Sequence, residues 1–312
     1  MSWVAIALAF ALSRVATLAA VDSAEEVYKL IDPAPLEEPF SIHLDAMAES
    51  RSPDDRDTWL AGGGNVPSWG TTWGDLLVSL TTQEFTIADP HGRGSAPTRL
   101  SAADGTAVGR VMPGDGWVLG LQWTERRSSD GSLATRQGTD REVDAFVRYD
   151  LGDRQALIAL ASFASQHRWI DAPLVPGLAW LIAPDDQHWL LVGAPVAYGY
   201  WQPDPLWSIE GGVIQDPHAA LSIYPASPWT VALEWDWRQS NFRSAAGTSV
   251  LEEMRLAVTC AFDPTTWCEI RGLAGAAFDR TIRVGADRHG RGGDPQRLES
   301  GPVVGIGVSA GF

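Results

Sequence analysis

The chain has 312 residues, with 23 Lys and Arg against 39 Asp and Glu, a formal net charge of -16 and 45% hydrophobic residues. That balance argues against nucleic acid as a partner, because a polyanion is repelled and no basic stripe with interleaved aromatics is present. Lys29 is the sole lysine, and the acidic excess reads as solvated loops or, through bridging divalent cations, as contact with anionic lipid headgroups.

The first element is an apolar run of ten residues, Trp3 to Leu12, followed by small residues as far as Ala20. It has the outline of a secretory signal peptide, although no Lys or Arg precedes it and Arg14 sits late. As a helix it is too short to span a bilayer, which takes about 20 apolar residues, so residues 1–20 are expected to be removed. Residues 21–70 are acidic, with prolines at 33, 35, 39 and 53, and close on Gly62, Gly63 and Gly64. Ser23 to Glu26 can cap one short helix. The remainder reads as a loose periplasmic extension too short to bury a core of its own.

From residue 71 to 312 the sequence reads as one domain of period-2 segments separated by turn residues. No segment there approaches 18 uninterrupted apolar residues, which leaves helical spans out but not strands, since a strand crosses in about 9 to 11 residues. In Trp229 to Arg238, five large apolar residues (Trp229, Val231, Leu233, Trp235, Trp237) alternate with Thr230, Ala232, Glu234, Asp236 and Arg238. Similar alternation runs through Trp117 to Thr124, Val143 to Asp150 and Met254 to Phe262. In water, such a wholly apolar face needs a second sheet to cover it; in lipid it needs nothing. Trp117, Trp123, Trp189, Trp207, Trp229, Trp237 and Trp267 fall near the ends of candidate strands, where amphipathic rings form girdles at headgroup level. Turns are expected at 152–153, 184–186, 203–205, 225–228 and 263–266, and longer polar loops at 88–115, 126–141, 239–251 and 285–301. The fold class is therefore an all-β, transmembrane antiparallel β-barrel of about 12 strands, within a range of 10 to 14.

The chain ends on VVGIGVSAGF, in which Val304, Ile306, Val308, Ala310 and Phe312 share one face of a strand. This resembles the C-terminal signal of bacterial outer-membrane β-barrels. The resemblance implies the bacterial outer membrane as location, the barrel-assembly machinery as a partner and contact with outer-membrane lipid and lipopolysaccharide. Pro173 to Gly212, with Pro173, Gly177, Trp180, Pro184, Asp185, Trp189 and Pro195 at its marked positions, resembles a widespread, functionally uncharacterised family of bacterial outer-membrane β-barrel proteins. It implies a fold and a location but no activity. Pro195, read as lying within a strand, marks a bulge or bend there.

The candidate functional residues are the inward charges Asp144, Arg148, Glu234, Asp236, Arg238, Arg255, Glu269 and Arg271. Acids and arginines projecting into a narrow lumen either pair and plug it or set a transverse field for small solutes. No catalytic residues, metal site or cofactor are assigned: the histidines at 43, 91, 167, 188, 218 and 289 are scattered, and no Gly-x-Ser-x-Gly, His-Glu-x-x-His or phosphate-binding loop occurs. His188, beside Trp189, reads as an interfacial residue. Cys260 and Cys268 flank the 263–266 turn in an exported chain and are expected to form a disulfide if 260 pairs directly with 268; pairing 262 with 267 puts them on opposite faces. The functional reading is a non-enzymatic barrel, either a narrow channel or a structural membrane protein. A secreted, soluble, Trp-rich β-sandwich that binds glycans is the alternative, and an outer-membrane hydrolase stands behind both.

Overall fold

The computed structural model describes residues 41–52, 55–67, 74–86, 99–129, 138–152, 154–164, 173–213, 216–244, 247–265, 268–285 and 293–311, with the backbone alone in 41–67. The proposed signal peptide, residues 21–40, Trp267 and Phe312 lie outside them. The described residues form one sheet. Its strands in chain order are β1 (Ser41–Ser52), β2 (Asp55–Pro67), β3 (Gly74–Thr86), β4 (Arg99–Gly114), β5 (Trp117–Ser129), β6 (Gly138–Gly152), β7 (Gln155–Ala164) and β8 (Leu174–Asp185). They continue as β9 (His188–Ala194), β10 (Ala197–Asp204), β11 (Trp207–Val213), β12 (Pro217–Ala226), β13 (Trp229–Ser244), β14 (Gly247–Thr265), β15 (Cys268–Gly285), β16 (Gln296–Arg297) and β17 (Gly301–Gly311).

Every strand from β1 to β15 pairs antiparallel with the next. β17 then pairs with β15 on one side and with β1 on the other, Ser50 opposite Val304 and His43 opposite Gly311. The succession of neighbours thus returns to its start, which is how a sheet disposes of its edges. The fold is an antiparallel β-barrel, and a two-sheet sandwich does not form. With the two-residue β16 set aside as a short outlier on β15, sixteen of the seventeen strands make up the ring among the described residues.

Sixteen exceeds the count of about twelve expected from periodicity, for three reasons. β1 and β2 lie within the stretch read as a periplasmic extension, so the barrel starts at about residue 41 and not at 71. β4 lies within the stretch read as a long loop, because four successive positions of its outer face, Ala103, Gly105, Ala107 and Gly109, are small, and the single large one, Val111, makes no apolar alternation. Two short hairpins were each read as one strand. The chain reverses at 195–196 between β9 and β10 and again between β11 and β12, so Pro195 is a turn residue and not a bulge within a strand. The loop expected at 239–251 is instead the continuous tip of the β13–β14 hairpin, paired as far as Ser244 opposite Gly247.

Short turns after β4, β6, β8, β10, β12 and β14 all lie at one end of the ring, together with the start of β1 and the end of β17. These turns hold Gly114 to Gly116, with φ between 53° and 101°, where glycine is favoured at both flanks of Asp115. The turn after β8 is tied by Asp185, which accepts from the backbone N–H of Gln187 at 2.9 Å and sits 2.7 Å from His188 Nδ1. The His188 ring holds the Asp185 carboxyl below the usual carboxylate range.

Candidate functional site

Alternation sorts every strand with described side chains into two faces. On one, large apolar residues stand exposed: Leu119, Leu121 and Trp123 on β5, Leu178 and Trp180 on β8, Leu233 on β13, Leu256 and Val258 on β14, Val304, Ile306 and Val308 on β17. Ile306 is 63% exposed, although a soluble sheet would cover it. The band is narrow, about four outward residues per strand, and its short-turn edge is lined with aromatic pairs on neighbouring strands. Trp117 lies 4.5 Å from Tyr149, Trp229 lies 4.5 Å from Phe262, and Trp201 meets Trp207 edge-on at 5.2 Å. Trp123 stands on the same outward face toward the other edge. Trp189 departs from the expected girdle: it is buried and points inward, stacked with Tyr198 and Tyr200. His188, by contrast, points outward next to Trp201.

The structure places all eight charges singled out in the sequence on the opposite, inner face, and brings most of them together. Asp236 and Arg255 face each other across β13 and β14 with a 2.9 Å contact, and Arg238 approaches Asp236 at 2.8 Å. Arg148 bonds Asp150 at 3.0 Å, Arg271 bonds Glu269 at 3.0 Å, and Asp144 accepts from Gln122 at 3.3 Å. Glu234 lies on the same inner face, two residues before Asp236 on β13. The eight residues therefore occupy several levels of the inner wall and do not gather at one centre. Arg255 and Asp236 are almost fully buried, whereas the Arg238 side chain keeps 30% of its surface exposed and those of Arg271 and Glu269 keep 36% and 28%.

Sequence reasoning missed several partners on the same face. Arg280 and Glu253 form a buried pair at 3.2 Å, with side-chain exposures of 4% and 3%. Arg126 reaches Asp104 at 3.4 Å, and Glu210 approaches His218 at 3.6 Å. Asp104 and Arg110 belong to β4, where the small outer residues hid the strand; Glu210 and His218 belong to the short strands β11 and β12. Facing these charges, β7 to β10 contribute an apolar and aromatic inner wall of Ile158, Leu181, Trp189, Leu191 and Tyr198, all at most 5% exposed.

The inner face holds one serine with an unusual partner. Ser208 Oγ lies 2.9 Å from the Tyr224 hydroxyl. Ser208 pairs with Ser222, whereas His218 lies four residues further along β12, on the order of 13 Å away at strand rise. A Ser-His-acid relay through Ser208 and His218 is therefore not assembled. Among the described residues, no group of three or more His, Cys, Asp or Glu could hold a metal ion.

The expected disulfide is absent. Both cysteines are free; Cys260 pairs with Gly272, and Cys268 pairs with Thr265 on one side and Ala310 on the other. β14 runs on to Thr265 with a register shift after Phe262, which moves the turn to 265–268 and separates the two thiols by four residues along β15. A bridge needs Cα atoms within about 7 Å, and four residues of strand span roughly twice that.

No family model and no curated protein matches the chain. Among solved structures it is similar to the beta domain of the Bordetella autotransporter Brka, at 10% identity and a TM-score of 0.32 over 88% of this chain and 99% of that one. It is similar to an outer membrane channel from Pseudomonas putida F1, at 13% identity and a TM-score of 0.39 over 90% of this chain and 98% of that one. A Pseudomonas aeruginosa FadL homologue matches at 10% identity and a TM-score of 0.37, over 87% of this chain and 89% of that one.

Proposed function

We propose that this chain is a non-enzymatic barrel of the bacterial outer membrane whose inner charges line a narrow path for small solutes. One observation carries the membrane reading: the outward face of the ring is a band of exposed large apolar residues edged by aromatic pairs, while the acids and arginines turn inward. This distribution suits lipid outside and polar groups within. A ring of sixteen strands has room for a lumen. The partly exposed Arg238, Arg271 and Glu269 are the inner charges that remain open to water.

Recording from purified protein in planar bilayers tests the path. Small discrete conductances are expected, and Arg271→Glu or Arg238→Glu should shift their ion preference toward cations, because each exchanges a fixed positive charge in the path for a negative one. Electrical silence of the wild type would favour the second reading, a structural barrel; the burial of Asp236, Arg255, Glu253 and Arg280 in mutual pairs speaks for that reading.

The assembly reading rests on β17. Val304, Ile306, Val308 and Ala310 share the outer face of that strand, and Phe312 continues their alternation. Phe312→Asp should lower the outer-membrane level of the protein far more than a charge placed at any of residues 21–40. Fractionation showing an unchanged level would remove Phe312 from the assembly role.

A further inference from the structure

The barrel wall has two tall parts and one low part. β9, β10 and β11 have 7, 8 and 7 residues, whereas β4 has 16, β13 has 16 and β14 has 19. The apolar band takes up about the same number of residues everywhere, so β4 to β6 and β13 to β15 project beyond it at the end opposite the short turns. β12 stops pairing with β13 at His218 opposite Asp236. From Trp237 to Ser244, β13 therefore has β14 on one side and no β12 on the other.

That open edge has a partner across the ring. The backbone N–H of Arg243 donates to Ser128 Oγ at 2.6 Å, and the Arg243 guanidinium bonds Asp140 at 3.1 Å. These partners belong to β5 and β6, which are not sheet neighbours of β13. Arg126 on β5 lies over the Phe242 ring at 5.5 Å. Phe242 itself is fully buried among Leu100, Ala102, Leu251 and Ile282, with Leu298 packed against them. The approach is close enough to require glycine at one point: a Cβ added to Gly138 on β6 would stand 2.6 Å from the Arg243 Cβ. The end of β13 thus spans the mouth, with an apolar cluster beneath it and a polar tie at its far side.

We infer that residues Trp237 to Ser244 of β13 form a latch across the outer mouth of the barrel, in which Phe242 is the hydrophobic barrier and Arg243, tied to Ser128 and Asp140, is the catch. The inference rests on the proposed channel and adds how that channel passes between its open and its closed form. An apolar constriction blocks small ions by excluding water. The ties from this edge to the opposite wall include the Ser128 hydroxyl, the partly exposed Arg243–Asp140 ion pair, the Arg126 cation-π contact and the packing of Phe242 on Leu100 and Ala102. Release of these ties and of Phe242 from its cluster would free an element that moves as a unit, the kind of change by which switches work.

Two opposed variants test it, both in a Cys260→Ser, Cys268→Ser background and both checked for folding by heat-modifiable electrophoretic mobility. In the first, Gly138→Cys with Arg243→Cys, mild oxidation with diamide should cross-link the folded protein, and dithiothreitol should reverse the mobility shift. In planar bilayers, the oxidised form should conduct several-fold less than the reduced one. In the second, Gly138→Val, the added side chain wedges the stem of Arg243 away, and conductance should rise above that of the background protein. Should the wedge variant fail to fold, the cysteine pair carries the test alone. Failure of the folded pair to cross-link would overturn the juxtaposition. Equal, measurable conductance in the oxidised and reduced forms would overturn the latch and leave the channel standing. Silence in every form, the reduced and wedged ones included, would overturn the channel and the latch with it.

Discussion

Replacing Arg280 with Met is expected to destabilise the folded barrel by about 3 to 5 kcal/mol, the range observed when one member of a buried ion pair is removed and its partner is left uncompensated. Arg280 lies 3.2 Å from Glu253, and neither side chain is more than 4% exposed. A second arginine nitrogen donates to the Glu299 carbonyl at 3.0 Å, so the loss also frees an acceptor near β16. The argument predicts an asymmetry. Glu253→Leu combined with Arg280→Met removes both charges and should restore most of the loss, because a pair exchanged for apolar residues of similar volume is often close to neutral. Urea unfolding in lipid vesicles, followed by tryptophan fluorescence, measures both. A double variant as weak as the single one would show that the damage comes from packing and not from a stranded carboxylate.

The second large effect concerns the outer face. Leu233→Arg and Ile306→Arg should each cost roughly 2 to 4 kcal/mol in lipid, the cost of a charge near the bilayer midplane on the outside of a barrel. The two side chains are 45% and 63% exposed. On a water-facing sheet the same exchanges would stay within about 0.5 kcal/mol, since surface substitutions that break no contact seldom do more. Arg141→Leu, on the same face of β6 but beyond the apolar band, should change stability little in either environment; its contact is an exposed one with Glu125 at 3.3 Å. Unfolding in vesicles that leaves Leu233→Arg and Ile306→Arg as stable as the wild type would turn the band from a lipid surface into an ordinary wet one.

What could be read in the sequence follows strand length and side-chain contrast. β5, β6, β13 and β17 were legible because apolar residues alternate with polar or small ones over at least four outward positions, and the charges singled out on β6 and β13 fell on the inner face as the alternation required. β4 has the same alternation in burial, but four successive outer residues are glycine and alanine and only Val111 follows them, so hydrophobicity does not register it. β9 to β12 were merged in pairs because β9, β10 and β11, with 7 or 8 residues each, are too short for a period to establish itself. The pairs Glu253–Arg280 and Arg243–Asp140 were out of reach for another reason: one depends on a register shift between β14 and β15, and the other joins strands that are not neighbours. The cysteines show the same limit. Both sides of their hairpin alternate as expected, and the shift after Phe262 alone decides that they miss each other.

The pairing of β1 with β17 has a consequence for how the molecule comes into being. Every other large contact in the ring joins a strand to one adjacent in the chain, so hairpins can form as soon as their own residues are available. The seam joins Ser50 to Val304, and its partners are almost the whole polypeptide apart. Bringing such ends together carries the largest loop-closure cost in the molecule and makes it the natural last step of folding. Until the eleven residues of β17 are made, two long strand edges stand open, and edges of that kind recruit other strands. A chain cut short before β17 would therefore be expected to aggregate and not simply to lose one strand in sixteen.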